Sequence, residues 1–395
     1  MRLRLGALDG LRGIAIALVV WFHVWQITWL RADIPLSGGR INFNALPEAG
    51  FLGVDLFFFI SGFCLFMPYA SAMAERSAPP GLGAFIYRRA LKIVPSYLVA
   101  IFGMTALGMA HFGSLGEASR ELALHLLFVH PWFPQSYGSI NGVLWSIGVE
   151  VQFYVVFPAL AWCAMRRPFA TFAGLASIAN LYRYFVRDAS DATHLVNQLP
   201  GTLDLFGAGM LAAYGHRMFA AQSQTVRLRS AWTFVSVAGF VLCAVVLDGA
   251  FAARLFPFWP YRWLAFGRPL LTLALPLATV GALLAWPAWQ RLLANPGLVF
   301  LSLVSYNLYL WHAAVVHALF DAHVPAWRGS DPHGDPVWAL AFTFAAFAAA
   351  LAVASVFTFA LERPLLRMRP FAPQGVCKTP PSLARPFEGP VATEP

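Results

Sequence analysis

The chain has 395 residues, of which 59% are hydrophobic and 11% charged, against roughly 45–50% and about 25% in an ordinary soluble protein. That balance excludes a soluble globule, and 14 Trp with 35 Phe exclude a disordered or collagen-like chain. The net charge of +9 reads as a topology signal rather than as nucleic-acid binding, because excess Lys and Arg in a chain of long apolar runs collect in cytoplasmic loops.

The runs are continuous, unlike the alternating segments of about ten residues that build a membrane barrel, so they predict helical spans. In chain order these fall near 10–30, 49–70, 94–111, 143–165, 168–186, 200–219, 231–252, 262–286, 297–320 and 337–361. The first is not a signal peptide, since Asp9 and Arg12 intrude and no cleavage site follows Trp25. The segment 121–133 is too short to span and reads as re-entrant or interfacial. The fold class is therefore an all-α polytopic transmembrane helical bundle of about ten spans. An even number puts both termini on one side. That side takes the greater share of the 27 Lys and Arg, Arg88, Arg89, Lys92, Arg166 and Arg167 among them, and is expected to be cytoplasmic. Residues 1–369 read as one membrane domain and 370–395, rich in Pro and polar residues, as a disordered cytoplasmic tail. Cys64, Cys163 and Cys243 in apolar runs and Cys377 in the tail show no metal or disulfide spacing, and no metal site is expected.

Ionisable groups at membrane depth mark a pathway or a site. From the helical rise, His23 lies about 20 Å and His312 about 22 Å from the inner ends of their spans. Asp55, Glu150 and Arg268 enter about 10 Å from the outer face, so all five are expected near one depth. Asp55 or Glu150 paired with Arg268 as a structural ion pair is the bland alternative, and for His312 it is a hydrogen bond to a neighbouring helix. Arg12 and His23 are three turns apart and share a face, about 16 Å from each other. That spacing lets one helix touch both ends of a long ligand, with Arg12 suited to a phosphate and His23 to proton transfer. Arg12 paired with Asp9 and snorkelling to headgroups is its bland reading. Arg88, Arg89 and Lys92 add three cations before Pro95, either as positive-inside anchors or, with Arg12, as a diphosphate seat.

The segments LDGLRGIAIALVVWFHVW, GVDLFFFISGFCLF, YRRALKIVPSY, LWSIGVEVQFYVVFP, LDLFGAGMLAAY, LSLVSYNLYLWHAAVV and ERPLLR, in this order, resemble the acyltransferase 3 family of integral membrane acyltransferases over nearly the whole chain. The resemblance places the family's Arg and His of the first helix on Arg12 and His23. It places the basic motif on Arg88, Arg89 and Lys92, with Lys where Arg is common, the acidic position on Glu150, and the terminal Glu-x-Pro element on Glu362 and Pro364. It implies transfer of an acyl group, commonly acetyl, from acyl-CoA to a hydroxyl of a cell-surface or lipid-linked sugar, in the bacterial inner membrane. The chain resembles the branch without an SGNH domain.

On this reading Arg12, Arg88, Arg89 and Lys92 hold the acyl-CoA phosphates, and His23 acts as general base with Asp55 or Glu150 orienting it. His312, Arg268 and Glu362 are further candidates. Direct transfer needs no activated Ser or Cys, and an acyl-His intermediate is the alternative. The rival function is a transporter or lipid-linked glycan translocator that uses the same charges as a relay.

Overall fold

A computed structural model describes residues 6–36, 39–220, 222, 225–253, 267–327, 329 and 331–367, and for residues 34–36, 39 and 40 only the backbone. The expected tail 370–395 and the first part of the expected span 262–286 lie outside the described residues.

Eleven helices carry the argument. They are α1 (Gly6–Thr28), α2 (Leu52–Glu75), α3 (Leu82–Ala106), α4 (Leu115–Leu126), α5 (Trp145–Arg166), α6 (Pro168–Val186), α7 (Leu203–Ala220), α8 (Val226–Ala253), α9 (Arg268–Leu284), α10 (Pro296–Asp321) and α11 (Pro336–Phe357). Several starts are written in the sequence. Pro occupies the first helical position of α6, α10 and α11, where its missing N–H costs nothing. Asn295 caps α10 by accepting from Leu298 N at 3.0 Å, and Asp335 caps α11 by accepting from Val337 N at 2.8 Å.

Each of the ten expected spans corresponds to one of these helices, and among the described residues seven helices are long and apolar enough to cross a membrane. The other three, α6, α7 and α9, explain themselves. α6 and α7 carry the charges Arg183 and Asp204, and α9 has only 17 residues. The short segment 121–133 is not a free-standing element. Its helix starts earlier, at Leu115, where Ser114 accepts from Glu117 N at 3.1 Å, and runs as amphipathic α4 into a tight turn at His130–Trp132. The described strands are the antiparallel pair Asp33–Leu36 and Gly39–Asn42, in the loop between α1 and α2.

Packing concentrates where α2 lies along α7, α8 along α9, and α1 along α10. In the first pair small residues let the backbones touch. A Cβ on Gly62 would sit 2.1 Å from Phe206 O, and one on Gly209 would sit 2.0 Å from Phe59 O. The fully buried rings of Phe59, Phe63, Phe153 and Phe206 fill the space around that contact, with Phe153 and Phe206 stacked at 3.9 Å. α11 ends in a π-type turn, Thr358–Glu362, which turns Thr358 and Glu362 into the bundle.

Candidate active site

α1 carries both ends of the site. His23 lines a cavity of about 1180 Å³, together with Trp25, Tyr137, Asn141, Trp145 and Tyr309. Three turns away on the same helix, Arg12 has Cys64 of α2 in contact and Asp9 of α1, Lys92 of α3 and Glu150 of α5 within electrostatic range.

At the His23 end, His23 Nδ1 is 2.8 Å from Val19 O and 3.1 Å from His312 Nε2. His312 is fully buried on α10, and its Nδ1 lies 3.0 Å from Leu308 O and 2.9 Å from Tyr309 O. The structure thus brings His312 to His23 as its side-chain neighbour. Among the described residues neither expected orienting carboxylate, Asp55 or Glu150, hydrogen-bonds to His23.

Asp55 borders the same cavity but pairs with Arg268, whose Nε donates to Asp55 Oδ2 at 3.1 Å. The rest of that guanidinium donates to Val196 O at 2.9 Å, Asn197 Oδ1 at 2.9 Å and Gly201 O at 3.4 Å. Gly201 O also accepts from Arg183, 2.8 Å away, and Arg183 forms a two-bond pair with Asp204 at 3.0 and 2.6 Å, both side chains fully buried. Arg183 is not among the site residues expected from the sequence. Its signal was an Arg and an Asp standing alone in neighbouring apolar runs.

Glu150 is not at the depth of His23. Its Oε1 accepts from Ser61 at 2.8 Å and from Tyr154 at 2.5 Å, and it lies within electrostatic range of Arg12. The expectation of one common depth fails here because α5 starts lower than its neighbours. Trp145, in its first turn, packs on Phe58, six residues into α2, with ring centres 6.1 Å apart. Five further residues carry Glu150 down to the Arg12 end.

At that end Lys92 lies within electrostatic range of both Arg12 and Arg89. Among the described residues, the hydrogen bond made by the Arg12 guanidinium goes to Cys64 Sγ at 3.4 Å, a weak acceptor for a full charge. Arg89 lies over the Tyr154 ring at 5.6 Å, and its buried Nε has no hydrogen-bond partner among the described residues. Lys92 is ion-paired with Glu362 and lies 5.2 Å from the Tyr306 ring centre. Glu362 in turn accepts from Asn307 Nδ2 at 2.8 Å, and Asn307 donates also to Thr358 at 3.0 Å. Arg88 is set apart on the exposed face of α3. Ser61, Tyr154, Tyr306 and Asn307 are the residues of this end that sequence reasoning missed; Asn307, five residues before His312 in an apolar run, was the visible sign.

The cavity wall formed by residues 137–143 is bolted from behind by α4. Glu121, 2% exposed, accepts from Ser136 at 2.9 Å, from Ser139 at 2.8 Å and from Arg120 at 3.0 Å. Burial alone would raise its carboxyl, but the two hydroxyls and the guanidinium hold it below the usual carboxylate range. A lowered value stabilises the fold above the unfolded-state pKa of about 4.3 and is lost as pH falls through the folded value. Glu121→Ala is therefore expected to raise proteolytic cleavage within 133–143 about tenfold at neutral pH, since one charged hydrogen bond is worth about 1.5–3 kcal/mol. The native protein is expected to reproduce that sensitivity only at a pH below the ordinary carboxylate range.

Comparison with known proteins identifies the family of the chain. The profile of the family described as an acyltransferase domain, acyltransferase 3, matches residues 5–358. The exopolysaccharide production protein ExoZ of Rhizobium meliloti is 30% identical over 321 residues, 80% of this chain and 90% of that protein. Nodulation protein 10 of Rhizobium leguminosarum bv. viciae is 26% identical over 335 residues, 79% of this chain and 83% of that protein. A candidate O-acetyltransferase of Staphylococcus aureus (strain COL) is 24% identical over 350 residues. That alignment takes in 81% of this chain, which spans about half the staphylococcal protein, 52%. No solved structure matches the chain. Seven helices fit to cross a membrane among the described residues, and a family match over most of its length, make this chain a multi-pass membrane protein of the acyltransferase 3 family.

Proposed function

We propose that the chain moves an acyl group, acetyl by preference, from acyl-CoA held at the Arg12 end to a hydroxyl of a cell-surface or lipid-linked sugar in the cavity at the His23 end. It works in the bacterial inner membrane with both termini cytoplasmic. The observation that carries this reading is α1 itself, which presents a cation cluster at one end and an imidazole lining a large cavity at the other. The names of the relatives, an exopolysaccharide production protein and a candidate O-acetyltransferase, point the same way.

The residues present fit a phosphate-bearing donor. Among the described residues the hydrogen-bond acceptor of Arg12 is a thiol, with Asp9 and Glu150 in electrostatic range, and Arg89 has a buried N–H without an acceptor, so an anion there satisfies donors already desolvated. The cavity exceeds the roughly 300–1,000 Å³ of common small-molecule sites, and its mixture of aromatic rings and amides suits a sugar chain. In the reaction, His23 takes the proton of the acceptor hydroxyl as oxygen bonds to the acyl carbon. The carbon–sulfur bond breaks, and His23 returns the proton to the leaving thiolate. Translocation by a charge relay has less support, since Asp55 is committed to Arg268 and the far nitrogen of His312 faces only backbone carbonyls.

The test is release of free coenzyme A thiol from acetyl-CoA by the purified protein, dependent on an added envelope glycan fraction. Thiol release at the same rate without glycan, or none with it, overturns the proposal. Arg12→Ala is expected to raise the KM for acetyl-CoA about tenfold or more, the worth of one charged hydrogen bond, with kcat much less affected.

A further inference from the structure

We propose that His312 is a positioning residue, which fixes His23 in the tautomer with its proton on Nδ1 and leaves Nε2 bare as the base. The proposal rests on the acyl-transfer reading above. Its argument is donor and acceptor accounting along one chain of atoms. His312 Nδ1 faces two carbonyl oxygens, Leu308 O and Tyr309 O, which only accept, so it carries the proton. The neutral ring then presents a lone pair at Nε2. That lone pair meets His23 Nδ1 at 3.1 Å, and Val19 O meets the same nitrogen at 2.8 Å. Two acceptors converge on His23 Nδ1, which must therefore be the donor, shared between them. The remaining nitrogen, Nε2, is unprotonated, on a ring that lines the cavity.

The opposite assignment fails at three contacts, because it sets lone pairs against Leu308 O, Tyr309 O and Val19 O. Val19 O alone would leave the ring free to rock about one bond. His312, wholly buried and held at its own far side, gives the second point that defines the ring plane, with ring centres 4.8 Å apart. When His23 takes the acceptor proton, its Nδ1–H still points at a neutral lone pair. No proton passes on, since the far side of His312 ends in carbonyls. The arrangement does what a carboxylate does behind a catalytic histidine, without placing a charge at this depth.

The test combines kinetics and spectroscopy on the full-length protein in lipid nanodiscs, with acetyl-CoA and an isolated envelope glycan fraction as substrates. His312→Ala is expected to lower kcat about 10–100-fold, at the low end of what a general base supplies, with the KM for acetyl-CoA within about twofold. His312→Gln, whose Oε1 takes the place of Nε2 as acceptor, is expected to recover most of kcat. A packing role alone would not distinguish the two variants in this way. Nitrogen-15 spectra of ring-labelled histidine, with His23→Ala used to identify the signal, are expected to show His23 protonated at Nδ1 in the unsubstituted protein. Protonation at Nε2, or a Gln variant no faster than the Ala variant at equal folded amount, overturns the proposal. Absence of acyl transfer by the unsubstituted protein would instead sink the functional reading, while the spectra still decide the tautomer.

Discussion

Replacing His23 by alanine is expected to reduce acyl transfer by about two to four orders of magnitude while the protein still accumulates in the membrane. The side chain is half-buried at the cavity wall, and its two contacts, Val19 O and His312, are local. Alanine is the best helix former, so α1 keeps its form and its packing along α10. The cation cluster three turns away is untouched, so donor affinity should hold within about twofold. Initial rates of acyl incorporation into an envelope fraction, normalised to membrane-inserted protein, measure the effect. A variant that retains more than half the normal rate would falsify the role of His23 as base.

The second large effect is expected on stability. Asp55→Ala leaves Arg268 wholly buried with its charge uncompensated, a change that typically costs about 3–5 kcal/mol. The carbonyls of Val196 and Gly201 and the amide of Asn197 remain, but they supply dipoles rather than a counter-charge. The double variant Asp55→Leu with Arg268→Met removes both charges and should be more stable than Asp55→Ala alone. Thermal unfolding in detergent compares the variants. This cycle also decides what Asp55 is for. Were it an orienting group for His23, Asp55→Asn would lower kcat without lowering stability. As half of a buried pair beside the cavity, it should lose both together.

Much of the fold was legible because membrane spans declare themselves by length and apolarity, and seven of the ten expected segments meet that criterion in the structure. The face shared by Arg12 and His23 was legible too, since it depends only on helical periodicity within one span. What one span cannot reveal is where its neighbours begin. Depth counted from the end of each run assumes that all helices start at one plane, and α5, opening against Phe58 inside the bundle, does not. That offset moves Glu150 from the imidazole to the cations. The pairing of His312 with His23 across α1 and α10, and of Arg183 with Asp204 across α6 and α7, depends on helix rotation, which hydropathy does not encode.

The π-type turn at the end of α11 gives this helix one residue to spare. It holds one more residue per turn than the α-helix on either side, and its last residue, Glu362, pairs with Lys92 and accepts from Asn307. Deleting one residue from 359–361 would remove that surplus and relax the turn to ordinary α-helix, with the residues beyond it facing nearly as before. The pair of Glu362 with Lys92 would then survive the deletion. Sequences aligned to this one should accordingly be compared with a one-residue gap allowed here, because a missing residue at this point shortens the turn without rewiring the ion pair.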